Sequence, residues 1–249
     1  MTYQSPVFCA IDKPSVESAI EVARQVKGGV GGLKLGLEYF LANGAHGYQA
    51  IADLGLPIFL DVKLHDIPNT VAGAVKSLLS LQPEFITLHT GGGSAMMKAA
   101  ADAAATATGK RPRLLGVTVL TSLDSNDLSA VGQDTDTARQ VERLALLAQE
   151  SGIDGIVCSS AEVARLRKAL GPDFVLMVPG IRPAWSAAND QKRIMTPADA
   201  MEAGASYLVI GRPITGAKNP ADAVKRINEE LQSSPSCPGK GSCCGSCCG

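Results

Sequence analysis

The feature that most constrains the fold of this 249-residue chain is a rhythm: a short apolar run, then a stretch of helical spacing, eight times over. Val7 to Ile11, Leu33 to Leu35, Ile58 to Val62, Phe85 to His89, Leu114 to Leu120, Gly155 to Cys158, Phe174 to Val178 and Tyr207 to Ile210 read as strands. Between them apolar residues recur at the helical period, as in Val16, Ala19, Ile20, Ala23 and Val26, or Val141, Leu144, Ala145 and Ala148. Such alternation implies parallel strands. Eight units in about 230 residues fit an α/β (β/α)8 TIM barrel. An open doubly wound sheet is the rival, but its G-x-G-x-x-G turn after the first strand is missing. Long polar loops are expected from Thr121-Ser122 through Asp136 and over residues 183–195.

The organisation is that of one barrel domain over residues 1–232. From Ser233 the composition turns to Ser, Pro, Gly and Cys, which predicts a flexible tail over 233–249. Of the seven cysteines, Cys9 and Cys158 lie in strand-like runs and read as buried thiols. The other five crowd the tail, so a disulfide framework for the body is not expected. The run Cys243-Cys244-Gly245-Ser246-Cys247-Cys248 has the thiol density to bind Zn²⁺ or Cu⁺, and it also looks like an engineered tetracysteine tag.

A net charge of −1 without blocks of like charge argues against nucleic acid or an anionic membrane as partner. No apolar run is as long as a membrane span, and the start lacks the regions of a signal peptide, so a cytoplasmic location is expected.

Polar residues gather where the predicted strands end: Asp12, Lys34, Asp61, Lys63, Thr121, Ser122, Arg182 and Arg212. In a barrel these ends share one face, where active sites lie. Asp61 and Lys63 interrupt a buried strand, and side chains two apart point to one face. Unpaired charges there cost several kcal/mol each, on the order of the figures for buried ions. Lys34, Asp61, Lys63 and Asp66 can form an alternating array, in which each adjacent pair at about 4 Å gains roughly 4 kcal/mol at an effective dielectric of about 20. Ordinary ion pairs would explain the same residues less economically. Val178-Pro179-Gly180-Ile181-Arg182 and Val209-Ile210-Gly211-Arg212 place glycine and arginine after strands seven and eight, the usual phosphate site of such barrels. Thr121-Ser122 has the chemistry to bond a polar ring edge, although such pairs are common at loop starts. His46 reads as a surface helix residue; with His65 and His89 it gives no metal-ligand spacing.

The segment Asp61-Val62-Lys63-Leu64-His65-Asp66-Ile67-Pro68-Asn69-Thr70 closely resembles the D-x-K-x-x-D-I-P-x-T signature of the orotidine 5′-phosphate decarboxylase family. The resemblance runs from Val7 to Leu231 and includes Ala10-Ile11-Asp12, Leu33-Lys34-Leu35-Gly36, Val119-Leu120-Thr121-Ser122, Pro179-Gly180-Ile181-Arg182, Asp190-Gln191-Lys192-Arg193 and Ile210-Gly211-Arg212-Pro213-Ile214. It implies decarboxylation of orotidine 5′-monophosphate to UMP without cofactor or metal. It further implies Lys63 as proton donor to ring C6, Asp61 facing the substrate carboxylate, and Lys34 and Asp12 on the ribose. Asp66, Ile67 and Thr70 would complete the neighbouring site of a homodimer. Ser122, with Thr121 beside it, would read the pyrimidine; Gln191, Gly211, Arg212 and Arg182 would surround the phosphate, with the loop 183–191 closing over it. The nearest alternative is an Mg²⁺-using sugar-phosphate enzyme similar to hexulose-phosphate synthase or a keto-gulonate-phosphate decarboxylase. Another is a non-catalytic phosphate-binding barrel, which would not need the whole array.

Overall fold

The structure is a computed structural model that describes residues 4–186 and 195–233. The eight expected strands are present: β1 (Val7–Ala10), β2 (Gly32–Gly36), β3 (Ile58–Leu64), β4 (Phe85–His89), β5 (Arg113–Val117), β6 (Gly155–Val157), β7 (Val175–Pro179) and β8 (Tyr207–Ile210). All are parallel, and β8 pairs back onto β1, so the sheet closes into a barrel in chain order. Closure removes every sheet edge. The main helices are α1 (Val16–Val26), α2 (Leu37–Ala52), α3 (Pro68–Leu78) and α4 (Gly93–Ala105), then, past a short α5 (Ser125–Ala130), α6 (Thr137–Glu150) and α7 (Val163–Leu170). After β7 come α8 (Pro197–Glu202), the one-turn α9 (Arg212–Thr215) that follows β8, and α10 (Pro220–Ser233).

Two departures from the sequence expectation lie at the end of β5 and just after it. The segment expected as a loop up to Asp136 contains α5, whose start is fixed by a capping box between Asp124 and Asp127. The strand expected to reach Leu120 ends at Val117, because the chain turns over 120–123, where Leu123 N–H bonds Leu120 C=O at 3.0 Å.

Alternation along each strand separates two cores. In β1, Val7 and Cys9 face the helices, whereas Phe8 and Ala10 join a second cluster with Phe59, Phe85, Leu115, Val175, Met177 and Val209. This second cluster fills the barrel. Its aromatic rings meet edge to face: Phe8 and Phe85 centroids lie 5.5 Å apart, Phe59 and Phe85 6.0 Å, Phe85 and Tyr207 5.3 Å. Gly32 makes room for this layer, since a Cβ there would sit 2.2 Å from the Phe8 ring. Residues two further along the same faces are Asp12 after Ala10, Lys34 after Gly32, Asp61 after Phe59 and Thr87 after Phe85. The interior is thus aromatic below and polar above.

The opposite, N-terminal end is closed by Arg113. Its guanidinium lies 4.1 Å from the Phe85 centroid, bonds Tyr207 Oη at 3.2 Å and pairs with Glu84 at 2.8 Å. Lys110 also holds Glu84. Burial pushes the Glu84 carboxyl up, but the hydrogen bonds from Lys110 and Arg113 outweigh it and hold it below the usual range. The pair therefore stabilises the fold above the ordinary carboxylate pKa and loses that contribution as pH falls through the lowered one. Arg113→Ala should cost about 1–2 kcal/mol. Thermal unfolding at neutral pH should show a Tm lower by roughly 2–8 °C, with the gap from the parent narrowing on acidification. An unchanged Tm would remove Arg113 from this role.

Candidate active site

The site begins with an irregularity in β3. Leu60 pairs with Ile86 and Leu64 with Leu88, so four steps along β3 oppose two along β4. The surplus forms a bulge that contains Asp61, Val62 and Lys63. Lys63 takes a left-handed backbone, φ 49°, which costs a side-chain-bearing residue on the order of 1–2 kcal/mol. Asp61 and Lys63 do meet, as expected, but through this bulge and not through a regular strand: Lys63 Nζ lies 2.8 Å from Asp61 Oδ1. Thr87 of β4 faces the bulge. Its Oγ1 accepts the Lys63 N–H at 2.9 Å and donates to Asp61 Oδ1 at 3.0 Å.

From Asp61 the charges continue across the barrel mouth. Lys34 Nζ stands 3.9 Å from Asp61 Oδ2 and 3.4 Å from Asp12 Oδ1. The order is therefore Asp12, Lys34, Asp61, Lys63, with signs alternating at each step. Side-chain exposure is 14% for Lys34, 15% for Asp61 and 28% for Lys63, so the inner members are largely shielded while Lys63 reaches toward solvent. Shielding raises the value of each pairing and the cost of removing one partner. Small residues keep the mouth open. A Cβ on Gly36 would lie 2.9 Å from Lys34 Nζ, and one on Gly211 would lie 3.7 Å from Asp12 Oδ2. Beneath Asp12, burial first and the Asp12 charge second push the Cys9 thiol up to about 12, so it is inert at neutral pH.

His89 ends β4, and its ring lies 5.3 Å from that of His65. Burial, followed by the charges of His65 and Lys63, lowers the His89 pKa against the opposing pull of Asp61, so this ring stays neutral at pH 7. His46 is exposed on α2.

The remaining expected residues occupy the same end of the barrel but not the charge array. Pro68 opens α3 at its first turn, and residues 65–70 are exposed. Asp66 Oδ1 accepts the N–H of Ile67 at 2.6 Å, and Ile67 is 66% exposed, an unusual state for a large apolar side chain. Thr70 is exposed on the first turn of α3. Thr121 and Ser122 sit in the exposed turn beyond β5. Arg182 follows β7 and is buried; its N–H bonds Met195 C=O at 3.2 Å, which joins the two ends of the segment between them. Gly211 caps α9, and Arg212 begins it, exposed. Gln191, with its Asp190-Gln191-Lys192-Arg193 motif, and the tail cysteines lie outside the described residues.

Thr87 and Gly36 were not among the expected site residues. The available signal was Thr87 itself, a polar residue inside the apolar run Phe85-Ile86-Thr87-Leu88. Chemically, the array sets the Lys63 amine at the barrel mouth beside the Asp61 carboxylate, at the same end of the barrel as Arg182 and Arg212, which follow β7 and β8. It can deliver a proton from Lys63 Nζ to a bound molecule and neutralise negative charge that develops beside it.

The family model described as orotidine 5′-phosphate decarboxylase / HUMPS family matches residues 5–227. The chain is 54% identical over 231 residues to the orotidine 5′-phosphate decarboxylase of Paramagnetospirillum magneticum, covering 91% of this chain and 98% of the relative. It is 53% identical over 227 residues to that of Sphingopyxis alaskensis, covering 91% and 99%. Among solved structures, the orotidine 5′-phosphate decarboxylase from Lactobacillus acidophilus superposes with a TM-score of 0.83 at 37% identity, over 92% of this chain and 100% of that one. A match of this extent, over a barrel whose mouth carries the signature residues, makes the chain a member of the orotidine 5′-phosphate decarboxylase / HUMPS family.

Proposed function

We propose that this protein decarboxylates orotidine 5′-monophosphate to UMP and CO2, the decarboxylation step of pyrimidine biosynthesis, without a cofactor. The observation that carries the reading is the alternating chain Asp12, Lys34, Asp61, Lys63 at the barrel mouth. In this reaction the C6–carboxylate bond breaks, CO2 leaves, and the electron pair stays on C6. The pyrimidine offers no conventional electron sink for that pair. A fixed ammonium beside C6 supplies both the opposing charge and the proton, and Lys63 is the group with that role. Asp61 lies between two ammonium groups and sets a negative charge against the substrate carboxylate; relief of that repulsion as CO2 leaves favours the transition state. Lys34 and Asp12 take the ribose hydroxyls. Ser122, with Thr121 beside it, reads the pyrimidine edge.

The phosphate falls to Gln191, Gly211, Arg212 and Arg182; Gly211, Arg212 and Arg182 follow β8 and β7, where a (β/α)8 barrel commonly binds phosphate. Contacts this far from C6 can still raise the rate of the chemical step when they hold the base in register. Asp66, Ile67 and Thr70 are directed to a second copy of the chain, so that each site in a cytoplasmic homodimer is completed by its neighbour; the exposed Ile67 suits an interface. Catalysis belongs to the barrel domain, residues 1–232, and the cysteine-rich stretch 233–249 has no part in it.

An Mg²⁺-dependent sugar-phosphate reaction fits less well. Asp12 and Asp61 each face an ammonium, which would repel a divalent cation at those carboxylates. Ile67-Pro68-Asn69-Thr70 and Thr121-Ser122 also follow the nucleotide pattern.

The direct test follows the ultraviolet absorbance of orotidine 5′-monophosphate mixed with EDTA-treated protein. The spectrum should convert to that of UMP with no metal added. No change at micromolar protein would overturn the reading, and an absolute need for Mg²⁺ would favour the sugar-phosphate one. For the shared site, Lys63→Ala and Asp66→Ala proteins should each be inactive, and mixing them should restore activity. One site in a mixed dimer then draws both intact residues. No recovery under demonstrated subunit exchange would show that Asp66 serves its own chain.

A further inference from the structure

The bulge in β3 raises a problem that one side chain solves. Where β3 carries surplus residues against β4, the regular ladder is interrupted, and the backbone N–H of Lys63 needs a partner from elsewhere. Thr87 is fully buried, and its hydroxyl accepts that N–H at 2.9 Å. A hydroxyl has one proton to give. Here it is directed to Asp61 Oδ1, 3.0 Å away, the same oxygen that Lys63 Nζ contacts at 2.8 Å. One hydroxyl thus grips the backbone of the lysine and the carboxylate of the aspartate at once. Lys63 holds a left-handed φ of 49°, a conformation that persists only where the surroundings enforce it. The β-branch of Thr87 restricts its own rotamer, and β4 is paired to β5 along its whole length, from Phe85 to His89, so the grip is rigid.

We propose that Thr87 is a positioning residue: it locks the β3 bulge so that Lys63 Nζ and the Asp61 carboxylate are held in reacting register. The inference rests on the decarboxylase reading above. It does not make Thr87 a contact of the reacting atoms, because the side chain is fully buried and its one proton is given to Asp61.

Thr87→Val keeps the shape of the side chain and removes both hydrogen bonds. Displacements of an ångström at a reacting group cost about 100-fold in rate. The variant should therefore lose roughly 100-fold in kcat for orotidine 5′-monophosphate, with KM and the Kd of UMP within about threefold of the parent, since lost register acts on the chemical step. Thr87→Ser retains the hydroxyl and should recover most of the rate. A purely structural threonine would instead move Tm and leave kcat unchanged in the folded fraction. Should Thr87→Val not fold, Thr87→Cys replaces it, with similar volume and a much weaker hydrogen-bonding group. The parent protein is the control that separates the two claims. If the parent does not decarboxylate the nucleotide, the functional reading fails. If the parent turns over and the Val or Cys variant matches its kcat, or the Ser variant is as impaired as they are, the role of Thr87 is refuted.

Discussion

The carboxylate of Asp61 is the group on which the rest of the site depends. One oxygen meets Lys63 at 2.8 Å and the Thr87 hydroxyl at 3.0 Å; the other faces Lys34 at 3.9 Å. Without this charge two ammonium groups would face each other across the barrel mouth, and without either ammonium a shielded carboxylate would stand partly unpaired. The array is therefore stable only as a unit. That mutual dependence also gives it a function: every charge is held in place by its neighbours before a ligand arrives, so little reorganisation is needed when charge moves during a reaction.

The same strand alternation that builds the core delivers this array. Phe8, Phe59 and Phe85 fill the lower barrel, and the next inward positions on their strands are Ala10, Asp61 and Thr87. A packed aromatic floor, closed below by Arg113 and Glu84, makes a rigid base for charges that must not drift. A departure from regular strand geometry lies at Lys63, on top of that base, where the flanking β4, paired to β5 along its length, can enforce a local irregularity. Stability and chemistry thus occupy opposite ends of the barrel, joined by a few shared strands.

Much of this was legible in the residues. Eight apolar runs separated by helical stretches imply the closed parallel barrel, and the charges at their ends mark its working face. Two short helices were not legible: α5 is a single capped turn and a half inside a polar segment, and α9 is only one turn, too short for any period to register. The spacing of Asp66 from Lys63 suggests a place at the Lys63 end of the array; within one chain its carboxylate accepts the Ile67 N–H, and the array is extended instead at its other end by Asp12, far away in sequence and beside Lys34 across the sheet. Thr87 was hidden for a different reason. A threonine inside a strand is ordinary by β propensity. Only the pairing register, with its two surplus residues in β3, shows that this hydroxyl replaces a missing ladder bond. Gly36 likewise acquires meaning only through what a Cβ would strike, the Lys34 ammonium.

The central claim is that Lys63 carries the proton exchanged with C6. Because the forward and reverse paths share that proton transfer, it can be watched from the product side. UMP incubated with the protein in D2O and followed by proton NMR should lose its C6–H signal as deuterium enters, and with Lys63→Ala at equal UMP occupancy it should not. Equal loss of that signal with both proteins, or none with the parent on prolonged incubation, would contradict the assignment of Lys63.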